Sequence, residues 1–241
     1  MWDNASMLRN IANVLFALST LLMLYGALHY VMHLPELLPL HSVRLEGAPH
    51  RISEASVLQV MRNELRGNLF TVDIERVRQS LEKLPWVRSV SIRREFPDRL
   101  AVQLEEHQVL ARWNNGMLVN LQGEVFVVGA DWVAQTDRVL PQFVGPEGNS
   151  SEVADYYGQF SRQLGAVGLQ LAQINLSPRH AWQLRLSNGV VLELGREEMQ
   201  QRLARFVEVY PYSLAAEQGR LKYVDLRYRN GFAVGGLVKQ G

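Results

Sequence analysis

The chain has no cysteine in its 241 residues. This excludes disulfides, thiol catalysis and thiolate metal sites, and it leaves open whether the compartment is reducing or oxidising. An excess of one charge is missing too: 25 basic against 24 acidic side chains leave a formal net charge of +1. Neither half of the chain is a polyanion-binding surface by charge, and no run of Lys or Arg interleaved with aromatics forms a nucleic-acid module. Nucleic acid is therefore not an expected partner. Nor is there a G-x-S-x-G elbow, a Walker loop or a G-x-G-x-x-G turn, and Glu105-Glu106-His107 lies on a strand that sends neighbouring side chains to opposite faces. His29 and His33 are four apart but have no carboxylate or third ligand beside them, so interface polarity explains them better than a metal. No catalytic residue, cofactor, metal or small-molecule substrate is expected.

What is present first is a long apolar run. No formal charge occurs from Asn10 to Pro35, and the 22 positions from Ile11 to Met32 rise roughly 33 Å as a helix, against a hydrocarbon core of about 30 Å. Tyr25, Tyr30, His29 and His33 gather in its second half, where amphipathic rings suit a membrane interface. The segment YVMHLPELLPL that follows has no small-residue cleavage site, so residues 10–33 read as a spanning anchor and not a signal peptide. Arg9 precedes the run and Glu36 is the first charge after it. This favours a cytoplasmic tail at 1–9 and a body outside the cytoplasm.

The body begins with a strand at 41–47, where Val43 and Leu45 alternate with polar neighbours and Gly47 closes the run. Ser53 stands as an N-cap before Val57, Leu58, Met61 and Leu65 at helical spacing. Asp73 opens a second helix with the stripe Ile74, Val77, Leu81 and Leu84, and Pro85 is expected to stop it. Val90 and Ile92, the turn FPDR, and Leu100, Val102 and Leu104 then form an antiparallel hairpin. Trp86 reads as a core aromatic, and Arg93 and Arg94 read as solvated strand positions. An edge of such a small sheet can accept another strand.

From Val109 onward, short strands alternate with turns: Asn114-Asn115-Gly116, Gln122-Gly123 and Ser187-Asn188-Gly189, the last between WQLRL and VVLEL. A largely antiparallel sheet follows, with Trp182, Leu184 and Leu186 facing Val190, Leu192 and Leu194 across one hairpin. Two helices interrupt it. One covers about 151–165, capped by Asn149 or Ser150, with Val153, Tyr156, Tyr157, Phe160 and Leu164 inward. The other covers about 197–210, with Met199, Leu203, Phe206 and Tyr210 inward and Pro211 expected to end it. At the close, Tyr223 to Tyr228 reads as a strand, Arg229-Asn230-Gly231 as a turn, and Phe232 to Val234 as a further strand. The fold class is thus α+β: an N-terminal membrane helix, a β-α-α-β-β domain at 41–108 and a mainly antiparallel β domain with two helices at 109–241.

The β-α-α-β-β order matches the POTRA module, and particular runs resemble the FtsQ family of bacterial cell-division proteins. They are LPWV (84–87), RR-x-FPD-x-L (93–100), EH-x-x-x-ARW (106–113), LPQFVGPEG (140–148), LSPRHAW (176–182), NGVVLELG (188–195) and YVDLRY followed by a Gly-containing turn and AVG. Phe96 stands where the family commonly has Trp, which keeps an aromatic there. The resemblance implies a single-pass inner-membrane scaffold with its bulk in the periplasm, concentrated at the division septum. FtsB and FtsL are its implied partners, with FtsK, FtsN and other divisome proteins as further family-level candidates. A runner-up reading is a POTRA-bearing factor for outer-membrane protein assembly or secretion, though a single module and no run of barrel strands speak against it.

In that family the partner lies against the last strands, where strand addition is the expected mode. The resemblance therefore points to Arg227, Tyr228, Asn230, Gly231, Phe232, Ala233 and Val234 as partner-binding residues. Tyr228 weighs evenly between a cross-strand core aromatic and a binding anchor. Gly231 is expected to serve turn geometry at positive φ. Gly236 departs from family members that have an aromatic residue there, which leaves Phe232 as the alternative anchor.

Overall fold

The computed structural model describes residues 5–32, 42–47, 50–129, 139–217, 220–229 and 231–236. Helix α1 covers Ala5–Met32, so it begins at least five residues before the apolar run that announced it and takes Arg9 into its first turns. Among the described residues it is the one helix long and apolar enough to cross a membrane, over Ser6–Val31, and none of it is buried. Its hydroxyls are silent: Ser19 Oγ and Thr20 Oγ1 donate to the Phe16 carbonyl at 2.9 and 2.8 Å. A polar group in hydrocarbon must find its partner within the helix, and these two do.

The chain divides into two compact units, the first including α1, with the boundary between Glu106 and His107. In the first, β1 (Ser42–Glu46), α2 (Glu54–Glu64), α3 (Ile74–Leu81), β2 (Val87–Glu95) and β3 (Arg99–Glu106) form a sheet of order β1-β3-β2. β1 runs parallel to β3 and β2 antiparallel to it. Val57, Met61, Val77 and Leu81 from the helices and Leu100 and Val102 from the sheet are all essentially inaccessible. Asp73 caps α3 by accepting from the Arg76 N–H at 3.0 Å, whereas Ser53 takes the N-cap position of α2 without a side-chain cap bond. α3 stops at Leu81, so Leu84 and Pro85 lie beyond it. Trp86 is buried, at φ 74°, with the Arg51 guanidinium 4.6 Å over its ring.

Arg93 and Arg94 are not merely solvated. Arg93 pairs with Glu46 at 2.9 Å, and Arg94 donates to the carbonyls of Leu69 at 2.8 Å and Val72 at 3.4 Å. Alternation along a strand reveals which face a side chain takes but not the loop it reaches, which is why the sequence did not disclose this.

The second unit holds β4 (Val109–Trp113), β5 (Met117–Asn120), β6 (Val125–Phe126), β7 (Gln142–Val144), α4 (Ser150–Gly165), β8 (Leu171–Leu176), β9 (Trp182–Leu186), β10 (Val191–Gly195), α5 (Met199–Ser213), a 3-10 turn (Ala215–Glu217), β11 (Tyr223–Asp225) and β12 (Ala233–Gly235). Its nine strands follow the order β12-β11-β10-β9-β8-β7-β4-β5-β6. The β9–β10 hairpin sets Leu192 opposite Leu184, and both are fully buried. Three ladders are parallel: β4 with β7, β7 with β8 and β10 with β11. Parallel neighbours need a long crossover, and α4 and α5 supply it between β7 and β8 and between β10 and β11. The sheet is therefore mixed, though most of its ladders are antiparallel.

α4 contacts β8 and α5, while α5 contacts β10. Between sheet and helices Trp182 meets Tyr156 at 4.6 Å and Phe160 at 6.0 Å between ring centroids. The buried Ser150 hydroxyl donates to the Gly123 carbonyl at 2.7 Å, and Asn149 stands at the N-cap of α4. α5 continues through Pro211 to Ser213 instead of ending before it. A proline this near a C-terminus removes only one intrahelical bond, and the last turn closes through the Leu214 N–H to the Tyr210 carbonyl at 3.1 Å.

Candidate partner-binding site

β11 lies between β10 and β12, with Val224 opposite Leu192 on one side and Val234 on the other. β12 is the end strand of the sheet, and among the described residues nothing pairs with its outer side. Both strands are three residues long, shorter than the run Tyr223 to Tyr228 suggested. The cause is Asp225. Its Oδ1 accepts the Arg227 N–H at 3.0 Å, and its carboxylate also takes Arg227 Nε at 2.9 Å and Nη2 at 2.7 Å. A carboxylate that bonds the backbone two residues on turns the chain out of its ladder. The Leu226 N–H to the Glu193 carbonyl, at 2.9 Å, is the last link to β10.

Asp225 is 5% exposed. The Arg227 guanidinium holds its carboxyl below the usual carboxylate range, overcoming the burial that acts the other way. Burial first and the Asp225 charge second raise the Tyr223 hydroxyl above its ordinary value. Arg227 is correspondingly held more firmly in its cationic form by Asp225.

Tyr228 has left the strand and is 57% exposed, so it is not a cross-strand core aromatic. Phe232 is half-buried against the core, while Ala233 and Val234 on β12 are exposed. Asn230 lies outside the described residues. The positive φ expected of Gly231 turns on Asn230 and so falls outside the described residues, while an added Cβ at Gly231 would meet nothing within 4 Å. Gly236 is left-handed, at φ 86°, and a Cβ there would fall 2.6 Å from Lys222 Cβ. An aromatic side chain at that position would require this local backbone to change.

Sequence reasoning missed the arginines beside this edge. Arg202 and Arg205, three apart on α5, share one helix flank. Arg202 Nη1 donates to the Leu194 carbonyl at 2.6 Å, and Arg205 Nη1 donates to the Arg229 carbonyl. They line a cavity of about 450 Å³ with Glu208, Val209, Leu226, Arg229 and Phe232. A neighbouring hollow of about 300 Å³ is bounded by Arg196, Glu197, Arg202, Arg227 and Gly195, so in each the arginines outnumber a single glutamate. Gly195, at φ 78°, lets Arg227 lie close: a Cβ there would stand 3.2 Å from Arg227 Cγ. The i,i+3 spacing of Arg202 and Arg205 is the signal the sequence carries for this flank, beside the apolar stripe of α5. Together the elements present a short open strand edge, an exposed tyrosine and several guanidinium groups. That arrangement suits an extended peptide with carboxylates. Among the described residues no three His, Asp or Glu side chains cluster as a metal site would require.

Residues 38–107 match the POTRA domain of FtsQ type, and residues 111–227 match the C-terminal region of the cell-division protein FtsQ/DivIB. The cell-division protein FtsQ of Nitrosospira multiformis is 40% identical, covering 98% of this chain and 99% of its own length. That of Burkholderia pseudomallei is 37% identical over 97% and 94%, and that of Escherichia coli K12 is 34% identical over 97% and 86%.

Proposed function

Because the chain belongs to the FtsQ/DivIB family of bacterial cell-division proteins, we propose that it acts as a bitopic divisome scaffold that binds the FtsB and FtsL pair by strand addition at β12. Its N-terminus is cytoplasmic and its two folded units are periplasmic. It links early and late division proteins at the septum and has no catalytic step of its own. FtsK and FtsN are further partners in this reading.

The observation that carries it is the outer edge of β12, unpaired among the described residues and standing beside exposed Tyr228 and Val234. Backbone groups of the edge give affinity to any extended segment, and the flanking side chains give selectivity. Asp225 holds Arg227 Nε and Nη2, so Arg227 meets the partner through its remaining Nη1 group. Tyr228 supplies the rigid amphipathic ring that binding hot spots favour.

Tyr228→Ala tests the reading. The variant keeps its thermal melt, because the ring is outside the core, and loses about 2 kcal/mol of FtsB affinity, roughly 30-fold. Amide exchange at 233–235 should slow when FtsB is added to the unchanged chain. Unaltered FtsB capture by folded Tyr228→Ala, with no protection at β12, rules the site out.

A further inference from the structure

Ser42 at the start of β1 stands opposite Arg99, and Glu95 at the end of β2 stands opposite the same residue. The turn at 96–98 therefore occupies the end of the first sheet at which β1 begins, and that is the end from which the chain returns to the membrane helix. From Met32 to Ser42 the chain can span roughly 35 Å at full stretch. This end of the sheet is thus tethered within that distance of the bilayer.

Two exposed aromatic rings stand there. Phe96 is 66% exposed and Phe70 41% exposed, with ring centroids 5.9 Å apart. Neither is the product of a frayed loop. Next to Phe70, Leu69 is fully buried, and buried Asn68 Oδ1 accepts the N–H groups of Phe70 and Thr71 at 3.0 Å each. Arg94 clamps the same loop through the Leu69 and Val72 carbonyls. A scattered exposed apolar residue needs no explanation, but two in contact on a braced loop at a tethered end call for a partner surface. Arg66, four residues before Phe70, is exposed, and Arg99 at this end of the sheet pairs with Asp98 at 3.6 Å.

We propose that Phe70 and Phe96 form a lipid-contacting tip that rests in the bilayer interface beside the anchor helix, so that the first domain is held at two points and does not swing on its tether. Phe rings bury their apolar surface at the boundary between headgroups and acyl chains, and an exposed arginine such as Arg66 adds attraction to anionic lipid. The inference rests on the chain being membrane-anchored and is independent of FtsB binding.

The cysteine-free chain allows a direct test, because a single introduced cysteine is the only labelling site. The full chain with Asp98→Cys, labelled with an environment-sensitive fluorophore, is reconstituted into phosphatidylethanolamine and phosphatidylglycerol vesicles containing a shallow nitroxide lipid. Quenching at 98 should exceed several-fold that of a label at Glu105→Cys, which lies about 20 Å further along β3. Adding Phe70→Ser and Phe96→Ser to the Asp98→Cys chain should lower quenching to the Glu105→Cys level with an unchanged melt. If the double change shifts the melt, Phe96→Ser alone is read in the same way. Equal quenching at 98 and 105, quenching that survives loss of the rings, quenching that needs a second protein, or failure of the chain to insert would each overturn the proposal.

Discussion

Asp225 shows how one side chain sets the limits of a site. Its carboxylate ends β11 and holds Arg227, and its depressed pKa makes that role dependent on pH. A carboxyl whose pKa is lower in the folded state stabilises the fold above its unfolded value of about 3.9, and this contribution is lost as pH falls through the folded value. Denaturation midpoints of the chain in detergent should therefore drop at the acid end. In Asp225→Asn that acid limb should flatten, with the midpoint at pH 7 lower than in the unchanged chain. An Asn variant whose pH profile overlays the parent would remove Asp225 from this account.

Among the elements, the β5–β6 turn and the start of α4 depend on each other. Gly123 is at φ 80°, and a Cβ there would stand 2.4 Å from Ser151 Cα, a backbone atom that cannot swing aside. Gly123→Ala should cost about 1–3 kcal/mol through positive φ and forced separation of turn and helix, read as a lower urea midpoint. Gly116→Ala serves as the control, since it shares the positive φ but meets nothing within 4 Å. It should lose less. This contact also marks where sequence reading stops. Gln122-Gly123 announced a turn, and the stripe Val153, Phe160 and Leu164 announced α4, because local spacing encodes both. That Ser150 closes on Gly123 depends on tertiary distance, which no local pattern carries. The same division applies at the β12 edge. The strands at 223–225 and 233–235 were legible from alternation, while the early end at Asp225 and the arginine flank of α5 depended on side-chain hydrogen bonds.

At the scale of the molecule, an apolar helix of 28 residues opens the first of two compact units. A scaffold held to a membrane meets its partners in two dimensions, where a modest interface is enough because tethering raises effective concentration. A fluorescent fusion of the full chain should form a band at mid-cell in dividing bacteria. Removal of residues 5–32 should disperse it even though both folded units remain. A uniform envelope signal from the full chain would count against a divisome role.

Among the described residues the nine-stranded sheet ends on one side with β12, three residues long, and on the other with β6, two residues long. Long open edges invite identical molecules to zip together, and brevity is one of the protections that natural sheets use against it. Among the described residues each edge offers a second copy of the chain only a few backbone rungs. A foreign strand must bring side chains that fit the neighbouring pockets in order to stay.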